Sequence, residues 1–265
     1  MNCELITSAQ NPKIKRLLEL QQKSQARRSS GLFVVEGRRE IERCINNGYV
    51  VDTLFWCPEI FGAEEPQVAD ARIFQVTTDI YNKVAYRGGT EGVIAEVVVR
   101  HFTLSDLQLS QRPLVVVMES VEKPGNVGAV LRSADAANVD AVIVCDPLTD
   151  LYNPNLIRAS IGAFFSVPCV ACTSEECIKW LKENGIQILT AQLQDSCYYY
   201  EADMCSPTAI VMGTEATGLT DKWREAADAH IRIPMLGCGD SLNVSVSAAI
   251  LMFEAVRQRI SIVRR

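Results

Sequence analysis

The chain has 265 residues, 48% of them hydrophobic, which is enough for two modest domains with cores of their own. No apolar run approaches the roughly 20 residues of a membrane span, and the first residues lack the basic-then-apolar layout of a secretory signal, so a cytoplasmic protein is expected. A formal net charge of −6 argues against a uniformly basic nucleic-acid binder, but not against one whose basic residues are gathered on one face.

In chain order, residues 11–25 place Ile14, Leu17, Leu18 and Leu20 at helical spacing behind the start signal Asn11-Pro12. Lys13, Lys15, Arg16, Lys23, Arg27 and Arg28 stand there against the single acid Glu19, with Arg38, Arg39 and Arg43 following. Alone, this pattern reads equally as a solvated helix face or as a phosphate-gripping one. Residues 33–36 predict a short strand and 37–46 a helix closed by Asn47-Gly48. Residues 50–56 and 73–76 read as strands around a loop rich in Glu and Pro, 79–85 as a helix and 92–99 as a strand. Residues 1–100 thus form an alternating α/β domain, and the polar, aperiodic stretch 101–112 is expected to be a linker.

The pattern restarts over residues 113–265. Strands are predicted at 114–118, 141–145, 167–170, 186–189 and 208–212, and helices at 126–137, 154–162, 174–183 and 241–259. Near-continuous apolar strands alternating with helices predict an α/β fold with a mostly parallel sheet covered on both faces. The ten cysteines are scattered, and Cys57, Cys145 and Cys169 sit in apolar runs where they act as small hydrophobes. Cys169-Val-Ala-Cys172 with Cys177 has the spacing of half a zinc site. No second pair follows, and His101 and His230 are remote in sequence, so no metal is expected.

Three segments carry chemistry. Pro124-Gly-Asn126 is a turn that puts Asn126 at a helix start, and Arg132 is the lone charge in residues 127–134. A guanidinium at a sheet edge suits a phosphate or a developing alkoxide. Gly213-Thr-Glu-Ala-Thr-Gly218 follows a strand; its glycines would let backbone approach a flat ligand, and Glu215 could cap a helix or tie a neighbouring loop. It lacks the Gly-x-Gly pair of the dinucleotide fingerprint, which weakens a metabolic NAD-type reading. Ser241-Leu-Asn243-Val-Ser245 alternates small polar and apolar residues, as a half-buried strand would or as a ligand clamp would.

Together and in this order, the three segments resemble the motifs of the SpoU (TrmH-like) family of RNA ribose methyltransferases, within the SPOUT superfamily. Residues 6–15, Phe33-Val-Val-Glu-Gly37 and Glu91-Gly-Val-Ile-Ala95 are similar to the ribosomal-protein-like RNA-binding domain that precedes the catalytic domain in some members. The resemblance implies a trefoil knot built from the loops 190–194, 213–219 and 233–242. It implies S-adenosylmethionine as cofactor, held by Gly213, Gly218, Ile233, Met235 and Leu242. Catalysis would fall to Arg132 with Asn126, Glu215, Ser241 and Asn243, and RNA contacts to Lys13, Lys15, Arg16, Arg27, Arg28 and Arg38. It further implies a homodimer through the C-terminal helix, whose Ile250, Leu251, Phe253, Ala255 and Val256 make a wide apolar surface. The expected activity is 2′-O-methylation of RNA, ribosomal rather than transfer RNA, with a non-catalytic RNA-binding protein of the same fold as the alternative. Two departures, Glu122-Lys123 where an Asp is common and Ser247 in place of Ala, leave the detailed substrate open.

Overall fold

The computed structural model describes residues 3–86, 91–214, 217–239 and 241–263. The chain divides into two compact units, Met1–Arg100 with Tyr152–Phe165, and His101–Leu151 with Ser166–Arg265.

The first unit runs β1 (Glu4–Ile6), α1 (Pro12–Gln22), α2 (Ser24–Ser30), β2 (Leu32–Glu36), α3 (Arg38–Asn46), β3 (Val51–Trp56), α4 (Pro58–Phe61), β4 (Arg72–Val76), α5 (Thr78–Val84) and β5 (Val93–Val98). Its five-stranded sheet has the order β1-β4-β3-β5-β2, parallel from β1 to β3 and antiparallel across β5. Ile14, Leu17 and Leu20 of α1 meet Ile80, Tyr81 and Val84 of α5 over Phe55 and Ile94 in one core. The single helix expected over 11–25 is broken at Lys23, whose backbone is extended (φ −114°, ψ 115°). Beyond the break Arg27 folds back: its Nη1 donates to the Leu20 carbonyl at 2.6 Å, one of the acceptors orphaned at the end of α1.

The helix α7 (Pro154–Ser160), expected in the second domain, packs in this first unit together with the start of α8 (Ala163–Ser166). Aromatic burial accounts for it. Phe33 lies 4.6 Å from Tyr152 between ring centroids, and Phe165 meets Tyr49 edge-on at 5.1 Å.

The second unit runs β6 (Leu114–Glu119), α6 (Pro124–Ala136), β7 (Ala141–Cys145), β8 (Cys169–Cys172), α9 (Ser174–Glu183), β9 (Gln187–Ala191), β10 (Cys197–Tyr198), β11 (Thr208–Met212), α10 (Asp221–Ala226), β12 (Ala229–Arg232) and α11 (Val244–Val263). All seven strands are parallel, in the order β10-β12-β9-β11-β6-β7-β8. Every residue of β6, β7 and β11 is buried, as continuous apolar strands in a doubly covered sheet must be. One core joins Val115, Ile143 and Val211 of the sheet to Cys177 and Leu181 of α9 and Trp223 of α10. Residues 101–112 are not a free tether: Leu104, Leu107 and Leu109 pack onto that core, and a capping box between Thr103 and Asp106 fixes the turn between them.

Candidate active site

The carboxyl ends of β9, β11 and β12 open on one cleft. Its walls are Ala191, Gln192 and Leu193 after β9, Met212, Gly213, Thr214 and Gly218 after β11, and Ile231 to Ile233 with Met235 after β12. Ser241, Leu242, Val244, Ser247 and Leu251 close it. In open parallel sheets ligands lodge outside the carboxyl strand ends, and this cleft lies there. All five residues assigned to the cofactor from sequence, Gly213, Gly218, Ile233, Met235 and Leu242, line it. Two of the leucines are left conspicuously bare, Leu193 at 59% and Leu242 at 39% exposure, an apolar surface that a ligand would cover.

The glycine loop is closed by its own backbone. Thr214 N–H donates to the Gly218 carbonyl at 3.2 Å, and Gly218 N–H to the Thr214 carbonyl at 3.1 Å. A Cβ on Gly213 would lie 2.4 Å from the Gly218 carbonyl carbon, and Gly218 takes φ +70°. Gly213 is therefore required for the loop's tight closure, and both glycines line the cleft. Downstream, Glu119 anchors the loop: its carboxylate accepts from Thr220 N–H at 2.9 Å and Thr220 Oγ1 at 2.6 Å. Glu119 was missed in the sequence, although a buried acid ending an otherwise apolar strand is a usable signal. Gln192 was also missed and left no signal. Its Oε1 is buried without a hydrogen-bond partner among the described residues, and the residue lines the cleft.

Asn126 does not cap α6. The helix starts two residues earlier at Pro124, which puts Asn126 inside the first turn. Its Oδ1 accepts from Asn243 Nδ2 at 3.2 Å, bringing together two motifs 117 positions apart. Asn243 in turn caps α11, which starts at Val244 and not at 241: its Oδ1 accepts from Ser245 N–H at 3.1 Å, and its carbonyl from Ser247 N–H at 3.0 Å. Asn126 lines a second hollow with Val121, Glu122 and Lys123, and this hollow shares Gly213, Thr214 and Val244 with the cleft. Arg132 is not brought to either hollow; it stands exposed on α6. Glu215 lies outside the described residues.

In the first unit the basic residues separate into two groups. Arg27 is 3% exposed and spent on α1, so it has no guanidinium to offer a phosphate. Arg16 pairs with the buried Glu96 and reaches Asp52 at 3.6 Å and Thr53 Oγ1 at 3.3 Å. Burial pushes the Glu96 carboxyl up, against the lowering pull of Arg16. Lys13 pairs with Glu4 at 3.0 Å over the Phe74 ring and remains half-exposed. Arg38 is exposed and stacks on Phe61 at 4.1 Å, and Lys15 and Arg28 are exposed. The basic surface is real but smaller than the sequence count.

A parallel α/β unit with a cleft at its carboxyl edge and a small mixed α/β unit bearing exposed basic residues place the chain in the class of α/β proteins that take a ligand at the strand ends. The SpoU rRNA Methylase family model matches residues 113–253, and a model described as MRM3-like substrate binding domain matches residues 11–95. The chain belongs to the SpoU rRNA methylase family. It is 30% identical over 251 residues to the 23S rRNA (uridine(2479)-2'-O)-methyltransferase of Streptomyces viridochromogenes, covering 89% of this chain and 86% of that one. It is 27% identical over 248 residues to the 23S rRNA (guanosine(2553)-2'-O)-methyltransferase RlmP of Bacillus subtilis (strain 168), covering 94% and 97%. A crystal structure of an RNA 2'-O ribose methyltransferase superposes with a TM-score of 0.85 at 40% identity, over 97% of this chain and 99% of that one. An AdoMet-bound rRNA methyltransferase from Sinorhizobium meliloti superposes with 0.86 at 27% identity, over 96% and 98%.

Proposed function

We propose that this protein transfers the methyl group of S-adenosylmethionine to a ribose 2′-hydroxyl of ribosomal RNA, in the cytoplasm. The observation that carries the reading is the pair of adjoining hollows: one walled by the glycine loop and apolar residues, the other holding the Asn126–Asn243 contact, with Gly213, Thr214 and Val244 between them. The family membership and the rRNA 2'-O-methyltransferase relatives support it.

When bound, S-adenosylmethionine supplies a methyl group on a sulfonium that carries its own leaving group. The residues present fit that ligand. Ile233, Met235 and Leu242 would give it apolar cover, and the orphaned Gln192 Oε1 would accept from an N–H donor on it. Asn126, Asn243 and Ser241 orient the acceptor ribose beside it, an effect of position and not of chemistry by the side chains. Arg132 acts as a fixed cation that binds the target phosphate and stabilises the nascent alkoxide, since a guanidinium does not give up its proton.

Because Arg132 stands outside its own cleft, the reading has it serve a second copy of the chain. Val246, Phe253 and Ile260 are each about half exposed and recur every seventh residue along α11, the spacing of a helix-pairing ridge. A homodimer through α11 covers that ridge. The trefoil knot belongs to the same reading, supported by the meeting of the loops after β9, β11 and β12 at one cleft. RNA is gripped by Lys13, Lys15, Arg28 and Arg38 of the first unit.

Calorimetric titration tests the cofactor part. S-adenosylmethionine is expected to bind and NAD not to; the reverse result would return the chain to the metabolic reading. Arg132→Lys tests the forked role: a large fall in rate with unchanged cofactor affinity is expected, and a near-normal rate contradicts it.

A further inference from the structure

Apart from the cleft, the second unit gathers three thiols. Cys145 ends β7, Cys172 ends β8, and Cys177 lies in the second turn of α9; their sulfur atoms all fall within 4.8 Å of one another. The sequence spacing pointed to the wrong cysteine. Cys169 and Cys172 are three residues apart on a strand and so face opposite sides of the sheet. The parallel register instead sets Cys145 directly beside Cys172, and the first turns of α9 bring Cys177 over the pair. No histidine is needed for this trio, and among the described residues no other three His, Cys, Asp or Glu donors converge in this way.

Each sulfur comes from a separately fixed element. Cys145 and Cys177 are fully buried, and Cys172 is half-buried, giving an access route from solvent. The start of α9 is locked by a capping box in which Thr173 N–H donates to Glu176 at 2.9 Å. Asp146, next to Cys145, accepts from Ser174 Oγ at 2.6 Å and Ser174 N–H at 3.2 Å, which ties β7 to α9. Packing alone would be met by alanine or valine at any of these places. Three converging soft donors on rigid supports suit a sulfur-ligated cation.

We propose that Cys145, Cys172 and Cys177 form a three-sulfur site for a thiophilic closed-shell cation, Cu⁺ or Zn²⁺. The thiols lose their protons on binding, so occupancy falls as pH falls. Three sulfurs satisfy Cu⁺ on their own, whereas Zn²⁺ would take water as a fourth ligand. The site is separate from the methyl-transfer reading and is measured without RNA or cofactor.

The test titrates the reduced protein, with the exposed Cys197 and Cys238 replaced by serine, with Zn²⁺ and with Cu⁺, each against a competing chromophoric chelator. One equivalent is expected, at an affinity that falls at least about tenfold in Cys172→Ser and in Cys145→Ser and is unchanged in Cys169→Ser. Cys172→Ser, being half-buried, is the variant that keeps the fold, as circular dichroism will check. X-ray absorption on the loaded parent should find three sulfur neighbours. An affinity unmoved by Cys172→Ser, no binding in the parent, or fewer than three sulfurs around the metal would overturn the site.

Discussion

At the residue scale, two substitutions separate positions that look alike in sequence. A methyl group at Gly213 cannot be accommodated, because what it meets is backbone and not the end of a flexible side chain. Gly213→Ala is expected to open the loop and weaken S-adenosylmethionine binding by about tenfold or more, roughly 1.4 kcal/mol, by calorimetry; unchanged affinity would mean that the loop is not the cofactor's wall. Arg27 and Arg28 are neighbours with opposite fates. Arg27→Ala should cost about 1.5–3 kcal/mol in urea unfolding, the worth of a buried charged hydrogen bond, without a specific effect on RNA affinity. Arg28→Ala should leave stability within about 0.5 kcal/mol and lower the salt dependence of RNA binding by about one unit of slope. The residue types were legible in the sequence and their directions were not. Nothing in residues 13–28 tells that Arg27 folds back onto Leu20, because that contact exists only once Lys23 has left the helix. Gln192 was invisible for the same reason: only the folded loop strands its oxygen.

At the element scale, length and hydrophobic continuity decided what could be read. The buried strands β6, β7 and β11 announce themselves as apolar runs, whereas β10, with two residues, and β12, with four, carry too little pattern to separate from loop. Their absence from the prediction matters, since β12 supplies one wall of the cleft. The last helix was placed three residues early because Ser241 and Asn243 read as its first turn. Asn243 stands just before the helix, and this is what frees its amide to meet Asn126. Asn243→Ala should therefore cost about 1 kcal/mol through the lost cap and lower the methylation rate, whereas Asn243→Asp should retain the cap and still lose rate. Farther along α11, Glu254 is 9% exposed and accepts from Arg257 Nε at 2.8 Å and Gln258 Nε2 at 2.8 Å. The Arg257 guanidinium foremost holds its carboxyl below the 4.5 of an unperturbed glutamate. A lowered carboxyl stabilises the fold above its unfolded value and loses that contribution as pH falls through the folded one. Glu254→Gln should accordingly flatten the acid limb of the stability curve and leave its slope above pH 6 unchanged; an unaltered acid limb would remove Glu254 from the account.

At the scale of the whole molecule, the division into two units could be read from the break in pattern after residue 100, but not the return of residues 152–165 to the first unit. That return is driven by aromatic contacts of Tyr152 and Phe165 with Phe33 and Tyr49, and pairing across more than a hundred residues leaves no local trace. The exposed ridge on α11 makes oligomeric state the structural prediction at this scale. Phe253→Glu is expected to give a monomer by sedimentation equilibrium and to abolish methyl transfer while leaving cofactor binding in place. A fully active monomer would instead require Arg132 to act within one chain. Methyl transfer is assayed by incubating the protein with methyl-labelled S-adenosylmethionine and total RNA from cells lacking it, assembly intermediates included, then digesting the RNA and identifying the labelled nucleoside. A 2′-O-methylnucleoside in the ribosomal fraction, absent with Arg132→Ala, is the result expected. Label confined to transfer RNA would move the substrate, and cofactor binding with no label in any RNA would contradict the account and leave a non-catalytic RNA-binding protein.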